Sequence, residues 1–421
     1  MTIRKILTVV GGVIVVAGIY LGAIEYWAWK WESPHIPLPN QHLKNHDLAT
    51  INSTGKNWSA DAQQRMIDLA EQMQSVSMSG AMTVNGKVVW AGAVGLARVE
   101  PEQTASVNSQ YRIGSVSKPV TAVTLMRMVE EGKINLDESI HTYLPNYPRY
   151  SSDITPRQLV SHMAGVRHYS LDFTNFPPTD GLSNIAYPDV NAALIQFKDD
   201  DLLFEPGKGF KYSTHGYTLL SAVMQAAGAK PFDELVTRLV TRPVGMNNTS
   251  PEHLLTDTSH LAGFCTSDGG LYGITPVQNL SNKVAGGGFV STPSDLVLMG
   301  ASLLKGELLM QESFDEMVEV QPMHDGSDHP QYYALGWRHY KTQHILDKEN
   351  KVDVIHHGGV AQGADSFLLL VPEYDISVAI LTNGQGDKSR GEIQMLAYRL
   401  AGMVIRGQQE DAFLNSKESN M

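Results

Sequence analysis

Apolar positions change their spacing several times along the chain, and each change predicts an element. An uncharged stretch, Ile6 to Ile24, comes first, behind Arg4 and Lys5. As a helix its 19 residues would be roughly 28 Å long, close to the hydrocarbon thickness of a bilayer. Tyr26, Trp27, Trp29 and Trp31 follow where interfacial aromatics belong. The run is longer than the apolar region of a signal peptide, and no Ala-x-Ala lies near Ile24. Residues 1–31 therefore read as one uncleaved transmembrane anchor. Arg4 and Lys5 favour an inner N-terminus and an outer, periplasmic or equivalent, location for the rest, with Lys30 opposing them. Pro34, Pro37 and Pro39 make residues 32–57 an extended linker.

Helical spacing begins near Ser59, a good N-cap, and runs to about Gln74. Met78 to Val84 and Lys87 to Val94 flank Asn85-Gly86, which signals a two-residue hairpin. A short run, Gln110 to Ile113, leads into Gly114-Ser115, and a helical pattern from Val116 to Glu131 stops at Gly132. Residues 119–285 read mostly as helices and loops, clearest at Gly216 to Ala227 and Pro231 to Leu239. Thr292-Pro293-Ser294-Asp295 reads as a capping box opening a helix that ends at Gly306. Strand spacing returns at Ser366 to Val371 and Ile376 to Thr382, around the turn Pro372 to Asp375. A final helix is expected over about Arg390 to Arg406, with residues 409–421 as a disordered tail. Strands thus come from both ends of the soluble part and helices from its middle. The expected class is α+β: an antiparallel sheet flanked by helices, spanning residues 58–408, with a mostly helical insertion.

Composition narrows the function. The net charge of -12, with no block of Lys or Arg, argues against a nucleic-acid partner. A single cysteine, Cys265, excludes an intramolecular disulfide and a cysteine-built zinc site. His356-His357 raises the question of a metal, but there is no His-Glu-x-x-His and no carboxylate at ligand spacing, so no metal and no cofactor are expected.

The remaining candidate chemistry is nucleophilic. A serine hydroxyl is hardly ionised at neutral pH and needs a base beside it. Ser115-Val116-Ser117-Lys118 offers one at i+3, on the same helical face. Ser-x-x-Lys occurs three times, at Ser53/Lys56, Ser115/Lys118 and Ser302/Lys305, and only Ser115 opens a helix directly after a strand. There helix N–H groups face an incoming anion. A capping serine with a solvated lysine would look the same locally. Tyr212-Ser213-Thr214 is the second candidate: Tyr212 could accept a proton if a cation such as Lys118 pulled its pKa below about 10. His356-His357-Gly358-Gly359, entering the C-terminal strands, is the third.

Together these motifs resemble the serine β-lactamase and penicillin-binding protein superfamily, in its class C-like, carboxypeptidase and esterase branch. The order and spacing match over about residues 60 to 408. Leu159 to Gly165, Gly286 to Pro293 and Leu335-Gly336-Trp337 are also similar. Ser161-His162, Arg167-His168-Tyr169 and Tyr212-Ser213-Thr214 resemble the mitochondrial serine β-lactamase-like branch. The resemblance implies that Ser115 attacks a carbonyl while Lys118 and Tyr212 manage its proton. It implies that the N–H groups of Ser115 and Gly359 form the oxyanion hole. It puts Thr214 where the family usually has asparagine, and His356, His357 and Gly358 along the substrate strand. His356 takes the usual lysine position and His357 that of threonine.

Two departures matter. No Tyr-x-Asn occurs in the chain, so Thr214 offers no carboxamide, and a histidine at 356 is a weaker fixed charge than lysine. Both argue against efficient β-lactam hydrolysis and for a D-alanyl carboxypeptidase-like peptidase or an esterase. A weak β-lactamase is the alternative within the enzyme class. A catalytically weak scaffold of the cell envelope is the alternative outside it. An α/β-hydrolase is excluded, because no Gly-x-Ser-x-Gly is present. The implied partners are a small peptide, ester or β-lactam-like substrate and, through the N-terminus, a membrane. Oligomeric state is not legible.

Overall fold

The computed structural model describes residues 36–39, 42–44, 46–49, 58–148, 153–170, 179–182, 184–268, 270–327, 329–386 and 389–418. The anchor expected over residues 1–31 lies outside them, and no helix among the described residues is long and apolar enough to cross a membrane.

Strands from both ends of the chain form one antiparallel sheet. Its order from one edge is Arg338–Thr342, Val352–Ala361, Ala364–Val371, Ile376–Thr382, Ser77–Val84, Lys87–Arg98 and His46–Ala49. Ile376–Thr382 pairs with Ser77–Val84, so the C-terminal and N-terminal hairpins meet in the middle. Both faces are covered, which explains why Ser366 to Val371 reads as a continuous apolar run rather than an alternation. Phe367, Leu369, Val378 and Ile380 pack under the terminal helices Trp58–Met73 and Ser389–Glu418. Leu368, Leu370, Ala379 and Leu381 pack on the other face, with the core of Ser117–Glu130, Thr214–Gly228 and Pro293–Leu304. The Asn85-Gly86 turn has positive φ at both residues, as its hairpin type requires.

Several boundaries differ from the sequence reading. His46–Ala49, expected in the linker, pairs with Ala91 to Val94 as the outer strand. The Gln110 to Ile113 run does not join the main sheet. Tyr111–Arg112 pairs with Phe289–Ser291, which in turn pairs with Ser250–Pro251. Cys265–Asp268 and Leu271–Ile274 form a hairpin inside the mostly helical stretch. Thr292 caps its helix by accepting from Asp295 N. Asp295 does not reciprocate, because its carboxylate accepts from Asn248 N and Thr249 Oγ1. The reciprocal capping box is at Thr155 and Gln158. Residues 409–418, expected as a disordered tail, continue the last helix. Extending an existing helix fixes one residue per added hydrogen bond, and Gln and Glu are good helix formers, so polarity alone does not stop it.

Candidate active site

Ser115 sits in a single 3-10 turn, Gly114–Val116, between strand Tyr111–Arg112 and helix Ser117–Glu130. Gly114 has φ +47, and a Cβ there would lie 2.6 Å from the Val360 carbonyl carbon and oxygen. Glycine thus lets the chain cross the backbone of strand Val352–Ala361 before turning into the helix. Thr121 Oγ1 donates to Ala285 O (2.7 Å), and Phe289 N donates to Ser117 Oγ (3.3 Å). These bonds pin the helix start to the glycine-rich segment 286–288.

Lys118 is fully buried on that helix. Its Nζ donates to Gly286 O (2.6 Å), Ser115 Oγ (3.3 Å) and Thr214 Oγ1 (3.3 Å). Burial drives its pKa well below the usual lysine value, and the nearby charges of Arg338 and Lys283 add to the effect. No carboxylate is among the causes, so no opposite charge offsets the cost of the buried ammonium.

Tyr212 arrives just ahead of helix Thr214–Gly228, whose N-cap Ser213 accepts from Gly216 N. The turn is held by two histidines, His162 buried and His168 half-buried. Ser213 N donates to His162 Nδ1 and Thr214 N to His168 Nδ1, each at 3.1 Å. Burial depresses both histidines, His168 to about 3, and the charge Lys118 carries when protonated adds to it, so both Nδ1 atoms remain acceptors at neutral pH. In the sequence these histidines stand out only as part of a resemblance; their role as acceptors needs residues some 50 positions apart. The expectation for Tyr212 itself is reversed. Burial pushes its pKa up to about 12, against a hydrogen bond to Ser115 and the charge of Arg338. Lys118 Nζ lies 4.7 Å from the centre of the Tyr212 ring, over its face. Tyr212 is therefore held as a proton donor.

The His356 to Gly359 strand also requires correction. Ile355 faces the Ser115 side of the sheet, while Val352 and Val354 face the terminal helices. Alternation puts His357, not His356, on the side of Ser115. His357 Nε2 meets Tyr333 OH at 3.0 Å, and its ring lies 6.3 Å from that of Tyr212. His356 packs on Tyr340 and Phe367, and neither ring nitrogen has a partner among the described residues. Both histidines are neutral at physiological pH, because burial and then Arg338 depress them, His356 to about 3.

The same alternation reassigns the backbone donor. Ala334 N donates to Trp337 O and His339 N to Tyr332 O, so Tyr333 and Arg338 form a pair whose own backbone groups point outward. Those of Arg338 therefore meet His356, its partner on the next strand. Pairing with Ala364–Val371 continues without a bulge from Ile355 to Ala361. The backbone groups of Gly358 and Val360 thus share the direction of those of His356, and the N–H of Gly359 turns inward to Ser366. Strand Arg338–Thr342 covers only residues 352–356. Among the described residues no strand covers the edge beyond, so the free N–H nearest Gly114 and Ser115 belongs to Val360. Gly359 instead makes room for the neighbouring chain, since a Cβ there would lie 2.1 Å from Ile113 O.

Two cavities flank Ser115 and share Val360. One, of about 450 Å³, is lined among others by His168, Thr214, Gln278, Lys283 and Gln362. The other, of about 610 Å³, is lined by Tyr212, Gln331, Arg338, His356, His357 and Arg390. Arg338 Nη2 donates to Gln331 Oε1 (2.7 Å), and no carboxylate pairs with it among the described residues. Sequence reading misses Arg338, Arg390 and Lys283. None lies in a motif, and they reach the site from an edge strand, the last helix and the 3-10 turn Ser281–Lys283.

The beta-lactamase family model matches residues 62–402. The chain belongs to the beta-lactamase family. It is a serine hydrolase with that family's mixed α/β fold of antiparallel sheets and helices. A curated relative is the mitochondrial serine beta-lactamase-like protein LACTB of Mus musculus. It is 28% identical over 379 residues, covering 69% of this chain and 68% of the relative. Two solved structures share the fold. The octameric penicillin-binding protein homologue from Pyrococcus abyssi has a TM-score of 0.68 at 21% identity, over 82% of this chain and 77% of that one. The D-amino acid amidase from Ochrobactrum anthropi SV3 has a TM-score of 0.69 at 18% identity, over 83% of this chain and 99% of that one.

Proposed function

We propose that this serine hydrolase cleaves a peptide-like amide or ester through an acyl-enzyme on Ser115, and that its leaving group carries a carboxylate. The observation that carries the acyl-enzyme reading is the buried Lys118 side-chain nitrogen, 3.3 Å from Ser115 Oγ, with its pKa driven down by burial. As a neutral amine Lys118 takes the Ser115 proton while Oγ attacks the carbonyl. The N–H groups of Ser115 and Val360 receive the oxyanion, a contribution of about 3 kcal/mol per donor in comparable sites. Tyr212 protonates the leaving atom as the tetrahedral species collapses. Lys118 then returns its proton to Tyr212, and water repeats the sequence on the ester. A fluorophosphonate probe followed by intact-mass measurement tests this: a single adduct on Ser115 is expected, and an adduct elsewhere overturns it.

The carboxylate reading rests on charge. The neutral histidines leave Arg338 and Arg390 as the cations of the 610 Å³ cavity. Guanidinium groups bind carboxylates with two parallel hydrogen bonds. A D-alanyl carboxypeptidase-like substrate carries such a group next to the scissile bond, whereas a simple ester does not. Replacing Arg390, as Arg390→Gln, is expected to lower kcat/KM roughly 10- to 100-fold for a carboxylate-terminated substrate. The matching carboxamide substrate should change little. Equal losses on both substrates would remove the carboxylate from the reading.

The sequence of residues 6–24 supports an anchored enzyme whose catalytic part lies outside the membrane. A chain lacking residues 1–31 should leave the membrane fraction at high salt, while the full chain should need detergent. Equal extraction of both would reject the anchor.

A further inference from the structure

Chain length limits how far one surface of the catalytic part can lie from the membrane. Ile36–Pro37 is the outer strand of a small sheet, paired antiparallel with Leu271–Ile274. Leu38 N donates to Gly270 O (3.1 Å), and Leu38 packs with Val76, Val99, Cys265 and Tyr272. From Ile36 onward the chain is therefore tied to the hairpin Cys265–Asp268/Leu271–Ile274. Only Glu32 to His35 separate Ile36 from Trp31, the last of the aromatics expected at the interface. Fully extended, that connection spans at most about 18 Å. The register also gives a direction. Pro37 lies opposite Leu271 and Ile36 opposite Tyr272, so towards its N-terminal end the strand points along the hairpin to Ile274.

That end of the hairpin is apolar and exposed. Ile36, Ile274 and Val277 all face water, Val277 with 83% of its surface. Ile36 shares a face with its partner Tyr272, and alternation turns Ile274 to the same face. No charged residue occurs from Leu271 to Asn282, in a chain of net charge -12. The loop is held in place: Thr275 closes it onto Phe264 O through both its N–H and its hydroxyl, each at 2.9 Å. Single exposed apolar side chains are ordinary on a soluble surface. Here three of them gather on an uncharged ribbon, at the end nearest the anchor, as in surfaces that lie in the headgroup boundary of a bilayer.

We propose that Ile36, Ile274 and Val277 rest on the lipid bilayer that the N-terminal anchor spans, and that this contact sets the orientation of the catalytic part. It rests on the anchor reading above and goes beyond it, since an anchor alone leaves the domain free to turn. Gln278 and Leu280, just after Val277, line the cavity that Ser115 opens onto, so the contact brings the Ser115 cleft to the membrane surface. Even a single fatty chain gives only marginal membrane binding, so three side chains do not hold a protein at a bilayer alone. The contact therefore orients the anchored chain, and a chain lacking residues 1–31 still leaves the membrane.

The test uses the full chain in phosphatidylcholine vesicles, with a polarity-sensitive fluorophore on an introduced cysteine. Cys265 stays unlabelled, because it is buried and burial pushes its thiol up to about 12. The labelled variants are Val277→Cys and Ile274→Cys. The control is Met310→Cys, an exposed position whose N–H donates to Glu130 at the far end of helix Ser117–Glu130. The quencher is phosphatidylcholine spin-labelled near the headgroup end of its acyl chains. The labels at 277 and 274 should lose roughly half their emission, since interfacial side chains reach about 5–10 Å into that boundary. The label at 310 should keep its emission. Equal quenching at all three positions, or at none, in chains that float with the vesicles overturns the contact and leaves the anchor standing. An emission shift that persists in detergent and grows with protein concentration assigns the ribbon to a second copy of the chain, and overturns the contact too. If the full chain does not float with vesicles, the anchor reading falls and the contact falls with it.

Discussion

Ser115→Ala should abolish covalent labelling and reduce turnover on any amide or ester substrate by roughly a million-fold, the scale seen when a serine nucleophile is removed. The fold should be untouched. Ser115 is half-buried in a short turn, and its hydroxyl caps no helix. Lys118 keeps its bonds to Gly286 O and Thr214 Oγ1 without it. The variant should therefore melt within a few degrees of the parent while losing activity. The informative outcome is the combination: unchanged melting with no adduct places the chemistry on Ser115. Residual labelling would transfer the nucleophile to another side chain and end the assignment.

Lys118→Met should be nearly as damaging, by about 10²- to 10⁴-fold, the usual range for losing a positioned general base. Its pH dependence separates a catalytic loss from a structural one. Burial, with Arg338 and Lys283, lowers the Lys118 pKa. The amine must be neutral to accept the Ser115 proton, so kcat/KM should rise with pH through that lowered pKa and level off below the ordinary lysine range. A decline is expected only near pH 12, where Tyr212 ceases to be a donor. Lys283→Met removes one of the charges that oppose protonation of Lys118. The ammonium form then becomes easier to make, and the rising limb should move to higher pH. A limb that stays in place, or that moves down, would show that another group controls it. Methionine at 118 also leaves the Gly286 carbonyl unpaired, at about 1–3 kcal/mol, so the rates should be compared below the variant's own melting temperature.

Where sequence and structure disagree about the site, one-residue and long-range effects are the cause. His356 and His357 both satisfy the motif by eye, but strand side chains alternate, and a shift of one residue exchanges the two faces. The face was decided by packing: Ile355 meets the core behind Ser115, and Val354 meets the core under the last helix. The same shift moves the backbone donor from Gly359 to Val360. A lysine near Tyr212 predicts an acidic phenol. Burial instead raises the pKa, outweighing the Ser115 hydrogen bond and the charge of Arg338, and desolvation depends on how many atoms surround a group, which spacing along a chain does not encode. Helix Pro293–Leu304, by contrast, was legible to within two residues, because a capping threonine, an N1 proline and a terminal glycine act within one turn of themselves.

By itself the sequence determined what depends on neighbours within a few positions: the helices and hairpins, the Ser115–Lys118 pair on one helical face, and the order of the three motifs. It also determined the absence of a carboxamide at Thr214, since that is a matter of residue identity. Only the tertiary structure decided which histidine faces Ser115, which backbone N–H is free, and in which direction burial shifts Lys118 and Tyr212. It alone brought Arg338, Arg390, Gln278 and Gln362 to the walls of the cleft. The physical reason is range: capping bonds and turn geometry are local, whereas desolvation, sheet register and cavity lining are set by segments more than a hundred residues apart that meet only when the sheet closes.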